Sequence, residues 1–171
     1  PWYALEYYDV TQEKMLVEQG KYRFSAGASS ADIRQELECT VSGEVIPPRN
    51  LSHSICIKNY DSKHGIETTL RFSYRKNDWY GCTNDWGGGF TFADADFSGY
   101  TKAELWAAAP CSQAGVAIYA GEQQLGSVEI LPSRSMDDFQ LYTIPLKPYT
   151  GQADLRLEIT GMASVYRIQL G

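Results

Sequence analysis

Histidine is nearly absent, with His53 and His64 the two in 171 residues. A Ser-His-Asp arrangement or a histidine-bound metal would have to rest on one of them, and both read as exposed loop residues. Cysteine is sparse as well. Cys39, Cys56, Cys82 and Cys111 lie far apart and form no C-x-x-C pair, which argues against zinc and against a thioredoxin-like redox site. They read instead as small, buried apolar side chains, a pattern that favours a cytoplasmic setting over a secreted one. No apolar run approaches the roughly 20 residues of a membrane-spanning helix, so no membrane partner is expected. The formal net charge is −6 and the 15 Lys and Arg residues are scattered. Without a clustered basic face, a nucleic-acid partner is not expected, and a neutral ligand suits this balance better. The opening Pro1-Trp2-Tyr3-Ala4-Leu5 has neither an initiator Met nor an export signal and reads as a position inside a longer protein.

What is abundant favours strands. Apolar residues make up 43%, enough to bury a substantial core, and the 12 Tyr and 15 Gly suit strands and turns better than helices. Several segments alternate with period two: Tyr22, Phe24 and Ala26; Val116, Ile118 and Ala120; Tyr142, Ile144 and Leu146; Leu155, Leu157 and Ile159. Turn signals such as Ser98-Gly99, Gly121-Glu122 and Thr160-Gly161 separate them, and short strands at that spacing predict an all-β sandwich. Residues 29–34 have the composition of a helical turn. Residues 101–109 have fair helix propensity too, but Ala103, Leu105 and Ala107 alternate, so the segment is read as a strand with Trp106 in the core. Around Pro47-Pro48 the chain loses all period, which predicts a linker at 47–52 between a first part, 1–46, and a larger sandwich, 53–171. The first part has too few strands to cover its own apolar face.

One segment combines the ingredients of a sugar site. Residues 77–89 carry Trp79, Tyr80, Asn84, Asp85 and Trp86 in a Gly-rich stretch. A pyranose has an apolar C–H face and a hydroxyl rim, so an aromatic platform beside planar amides and carboxylates complements it. The competing reading is that Trp79 and Trp86 merely pack. Gly87-Gly88-Gly89 lacks the Lys-Ser/Thr of a phosphate loop and reads as a bulge or corner. Asp94 and Asp96 alternate, as a calcium pair or, more simply, a solvated strand face. No catalytic residue is assigned.

Two resemblances extend this reading. At Tyr7-Tyr8-Asp9-Val10, Val17-Glu18-Gln19-Gly20 and Gly27-Ala28-Ser29-Ser30-Ala31-Asp32-Ile33-Arg34, the sequence resembles the closing strands of the fibronectin type III-like domain of family 3 glycoside hydrolases, with Gln19 where that family favours Pro. The resemblance implies a parent β-glucosidase- or β-xylosidase-like enzyme whose catalytic groups lie elsewhere, and partners in its remaining domains or in another chain that completes the N-terminal sandwich. From Ile55-Cys56-Ile57-Lys58-Asn59-Tyr60-Asp61 through Gly88-Gly89-Phe90-Thr91-Phe92 and Phe139-Gln140-Leu141-Tyr142 to Tyr166-Arg167-Ile168-Gln169-Leu170, the rest resembles family 6 carbohydrate-binding modules. That resemblance implies a jelly-roll β-sandwich that binds polysaccharide or oligosaccharide in a loop cleft, often with a structural calcium. Cys56, Lys58 and Gln169 stand where acidic ligands would be expected, so calcium is disfavoured and no cofactor is assigned. Of the cleft positions, Phe139 keeps an aromatic, and Arg167 lies near another.

The expectation is therefore a non-catalytic accessory region that binds plant-type carbohydrate through Trp79, Tyr80, Asn84, Asp85, Trp86, Phe139 and Arg167. The alternative is a structural module without its own sugar site that packs on the catalytic domains, aids oligomerisation or shapes the active-site entrance.

Overall fold

The computed structural model describes residues 2–73, 76–83 and 87–171, and within them the side chains other than those of 2, 69–80, 82 and 83. The chain divides into two compact units, Pro1–Pro47 and Pro48–Gly171.

In the first unit, strands β1 (Tyr7–Asp9) and β2 (Lys14–Leu16) form one antiparallel pair, and β3 (Gly20–Ser29) and β4 (Asp32–Val41) a longer one. Asp9 makes the first turn. Its Oδ1 accepts from the amides of Thr11 and Gln12, each at 2.8 Å, and from the Thr11 hydroxyl at 2.6 Å. Residues 29–34, of helical composition, instead form the tip of the β3–β4 ribbon, where Ser29 pairs with Asp32. Phe24 faces Leu37 across the ribbon, and both are exposed, as is Ile33.

The second unit is a sandwich of short strands: β5 (Arg49–Asn50), β6 (Ile55–Cys56), β7 (Ser62–His64), β8 (Ile66–Ser73), β9 (Lys76–Thr83), β10 (Gly88–Asp96), β11 (Lys102–Ala108), β12 (Ala114–Ala120), β13 (Gln123–Ile130), β14 (Gln140–Pro145), β15 (Gln152–Thr160) and β16 (Ser164–Leu170). One sheet runs β13-β12-β15-β10-β5, with β7 also on β10; the other runs β14-β11-β16-β9-β8, with β6 also on β16. All pairs are antiparallel except β10 with β5. The expected strand at 101–109 is β11.

Alternation decides which face is covered. In β12, Val116, Ile118 and Ala120 are buried while Gly115, Ala117 and Tyr119 between them are not. Leu155, Leu157 and Ile159 of β15 and Phe90 and Phe92 of β10 meet Leu105, Ile144, Val165 and Ile168 of the opposite sheet. Burial of each such side chain contributes roughly 1.5–3 kcal/mol.

Three sequence expectations are corrected here. The segment 47–52 is not a free linker, because Arg49–Asn50 pairs with β10 and Leu51 is fully buried in the core. Of the cysteines with described side chains, none is a buried core residue: Cys39 and Cys56 are half-buried and Cys111 is exposed. Asp94 and Asp96 do not share a strand face, since a bulge between Phe92 and Ala95 puts Asp94 at φ 49°.

Candidate functional site

The two sheets each present an outward face, and both carry polar and aromatic groups. On the β14-β11-β16 side, Trp106 of β11 pairs in register with Arg167 of β16. Their neighbours Leu105, Ala107 and Ile168 point into the core, so Trp106 and Arg167 share the outer face. A bulge follows, with Ala107 opposite Val165, and it releases Tyr166 from register. The guanidinium of Arg167 lies 5.2 Å from the Trp106 ring centroid and 4.6 Å from that of Tyr166. Phe139, just before β14, continues the stack at 5.5 Å from Tyr166, tilted by 31°. Trp106 is thus not a core residue; it is half-buried beneath an arginine.

Of the sequence candidates, the structure therefore brings Phe139 and Arg167 into one cluster. Trp79 and Tyr80 are placed by their backbone on β9, which pairs with β16 through Gly81 and Cys82. Their side chains lie outside the described residues, as do Asn84, Asp85 and Trp86 altogether. Sequence reasoning missed Trp106 as a surface group and Tyr166 as the link between Phe139 and Arg167.

It also missed a larger feature on the other sheet. The outward face of β13, β12 and β15 holds an open groove of about 690 Å³ lined by Gly115, Ala117, Tyr119, Ser127, Glu129, Glu158 and Thr160 among others. Register explains its floor. Glu129, Gly115 and Thr160 form one row across three strands; Ser127, Ala117, Glu158, Gly89 and His64 form the next. Small residues occupy the middle, where a Cβ at 115 would stand 2.7 Å from Thr160 Oγ1.

A charged network fixes one end. The Arg156 guanidinium lies 5.5 Å from the Tyr119 ring centroid and donates to Glu158 Oε1 at 3.0 Å, Glu122 Oε1 at 2.9 Å and the Gly121 carbonyl at 3.2 Å. The hydrogen bond to Glu158, foremost among these contacts, holds Arg156 above the ordinary guanidinium range. His64, which sequence reading left in an exposed turn, ends β7 and puts Nε2 3.3 Å from Glu158 Oε2. Arg156 and Glu158 remain 28% and 27% exposed, so the pair is ordered yet reachable. The groove thus offers hydroxyl and carboxylate groups at fixed positions around a flat, small-residue floor. Among the described residues, no group of three or more His, Cys, Asp or Glu side chains converges to hold a metal ion.

The sequence matches no family model and none of the curated proteins. Solved structures do match. A module from Clostridium stercorarium in complex with cellobiose superposes with a TM-score of 0.65 at 19% identity, over 74% of this chain and 98% of that one. The fold is that of a family 6 carbohydrate-binding module. A β-1,3-glucan-binding family 6 module from Bacillus halodurans gives 0.64 at 18% identity, over 71% of this chain and 96% of its own. A family 43 arabinoxylan arabinofuranohydrolase from Bacillus subtilis, in complex with cellotetraose, gives 0.67 at 11% identity and covers 85% of this chain, which spans 32% of that larger protein. The sandwich read from alternation and turn spacing, and the jelly roll that the family resemblance implied, are the fold observed.

Proposed function

We propose that the second unit is a non-catalytic module that binds polysaccharide or oligosaccharide, within the accessory region of a β-glucosidase-like glycoside hydrolase. The observation that carries the binding reading is the open groove across β13, β12 and β15. Its row of Gly and Ala leaves room for a flat pyranose chain, and Ser127, Glu158 and Thr160 supply hydroxyl partners at its sides. The structural neighbours crystallised with cellobiose and cellotetraose support a saccharide ligand for this fold. The enzyme context rests on the resemblance of residues 5–43 to family 3 glycoside hydrolases. The aromatic segment with Trp79, Tyr80, Asn84, Asp85 and Trp86 is proposed as a second contact region for the same ligand class.

A few hydrogen bonds and one ring contact give affinities of about millimolar to micromolar after the entropy of association. Isothermal titration against xylan, β-glucan, and cello- and xylo-oligosaccharides tests the reading. Ala117→Leu, which fills the floor and adds no polar group, is expected to weaken binding at least about tenfold, since a site shaped for a flat ligand loses contacts on both faces. Its melting temperature should stay within a few degrees of the wild type, because position 117 points outward. No heat with any of the panel sinks the proposal.

A second reading has its own observation. Leu131 and Leu141 are 61% and 52% exposed, an apolar content that suits docking on other domains of the parent enzyme. Under it, Leu141→Asp would weaken assembly of the full-length enzyme, measured by sedimentation.

A further inference from the structure

Four arginines among the described residues are neutralised by carboxylates. Arg23, Arg34, Arg49 and Arg156 face Glu38, Asp32, Asp61, and Glu122 with Glu158. Arg134 and Arg167 have no such ion pair among the described residues, and Arg167 is the one held against aromatic rings. Its Nε is buried without a hydrogen-bond partner, and no carboxylate pairs with its guanidinium among the described residues. Its environment holds it in place all the same, with the ring centroids of Trp106 and Tyr166 at 5.2 and 4.6 Å and Phe139 backing Tyr166.

Among the described residues, the acids on neighbouring segments are committed elsewhere. Glu104, two positions from Trp106 on the same face of β11, takes Lys102 at 2.9 Å. Asp138 accepts from the Arg134 amide and Asp137 from the Ser135 hydroxyl. Gln169, on the other side of Arg167 along β16, donates to the Ser52 carbonyl at 2.7 Å. An oriented, half-buried guanidinium without a counter-charge among the described residues matches a planar anion that binds edge-on through two parallel N–H bonds. The surrounding rings of Trp106, Tyr166 and Phe139 favour one attached to a pyranose, whose C–H face stacks on an aromatic.

We infer that Arg167, set between Trp106 and Tyr166, reads the carboxylate of a uronic acid residue, so that the module's ligands are acidic rather than neutral sugars at this position. The inference rests on the reading of the second unit as a carbohydrate-binding module. It gives the cleft of Phe139 and Arg167, on the opposite sheet from the groove, a chemical class of ligand.

Titration calorimetry of the whole chain with a trisaccharide of galacturonic acid, and with the same trisaccharide methyl-esterified, isolates the carboxylate. A charge-assisted bidentate pair is roughly twice a neutral hydrogen bond, so the free acid is expected to bind about tenfold more tightly, with the margin narrowing as salt rises. Arg167→Gln should bring acid and ester to equal affinity. Arg167→Lys, which keeps the charge but not the planar fork, should lose most of the margin and guards against misfolding of the glutamine variant. Equal affinity of acid and ester for the wild type overturns the inference, as does a preference that survives in both variants. Neutral xylo-oligosaccharides that bind while the acid shows no advantage leave the module reading standing and remove this one. Silence with every sugar removes both.

Discussion

Asp61 carries two duties on one oxygen. Its Oδ2 accepts from Arg49 at 2.9 Å and from the Ala93 amide at 2.7 Å, beside the β10 bulge. Arg49 is 9% exposed, stacked on the Phe92 ring at 5.5 Å, and its Nε has no partner of its own, so the terminal nitrogen at Asp61 is its neutralising contact. Removing the carboxylate leaves a buried cation and an unpaired amide at once. Asp61→Ala is expected to destabilise the sandwich by roughly 2–3 kcal/mol, with Asp61→Asn losing less because an acceptor remains. Urea unfolding would show this as a lower midpoint at constant slope. Asp96 has a different dependence. Its Oδ1 accepts from the Ser98 hydroxyl at 2.7 Å and the Ser98 amide at 3.0 Å, and these bonds hold its carboxyl below the ordinary value of 3.8. A carboxyl depressed in the folded state stabilises above its unfolded pKa and loses that contribution as pH falls through the folded one. The deficit of Asp96→Ala relative to the wild type should therefore be full at neutral pH and shrink below about pH 4, near the unfolded carboxyl pKa, as followed by unfolding at several acid pH values.

At the scale of elements, β9 shows how closely the sheets are fitted to one another. A Cβ on Gly81 would lie 2.0 Å from Cζ of Phe90, a ring that is 1% exposed and cannot move aside. Gly81→Ala is expected to destabilise by about 1–3 kcal/mol through overpacking, and Phe90→Leu in the same chain should recover part of that loss, a coupling that a double-mutant cycle measures. The strands themselves were legible because burial on one face leaves a period-two trace, as with Val116, Ile118 and Ala120 or Leu155, Leu157 and Ile159. The groove was not. Its residues are the other half of the same alternation, Gly115, Ala117 and Tyr119 on one strand and Arg156, Glu158 and Thr160 on another, and singly they look like an ordinary polar face. What makes them a groove is register among β13, β12, β15, β10 and β7, set by non-local pairing that no local pattern encodes. Trp106 misled for a related reason. Alternation puts Ala103, Leu105 and Ala107 inside, which sends Trp106 out, but its bulk argued for the core until Arg167 was found lying over it. Phe139 and Arg167 were named from a family resemblance; their neighbour Tyr166 was hidden by a bulge that breaks the period.

For the whole molecule, the distribution of buried residues separates what can fold alone from what cannot. The contiguous core, from Leu51 to Leu170, lies within the second unit. The β3–β4 ribbon of the first unit leaves Phe24, Ile33 and Leu37 exposed, and a two-stranded ribbon is marginal in water by itself. A chain of residues 48–171 should therefore unfold in a single cooperative transition, whereas residues 1–47 alone should give none. The same comparison tests where the sandwich begins. Period and proline content put the boundary at 53, yet β5 pairs with β10, the Leu170 amide donates to the Leu51 carbonyl at 2.8 Å and Arg49 holds Asp61. A chain starting at His53 loses the Leu51 side chain from the core and the Arg49 counter-charge together, which should lower stability by roughly 3–5 kcal/mol relative to one starting at Pro48, as the sum of one buried aliphatic side chain and one charged hydrogen bond. Thermal and urea unfolding of the two chains decide it, and equal midpoints would return residues 48–52 to the status of a linker.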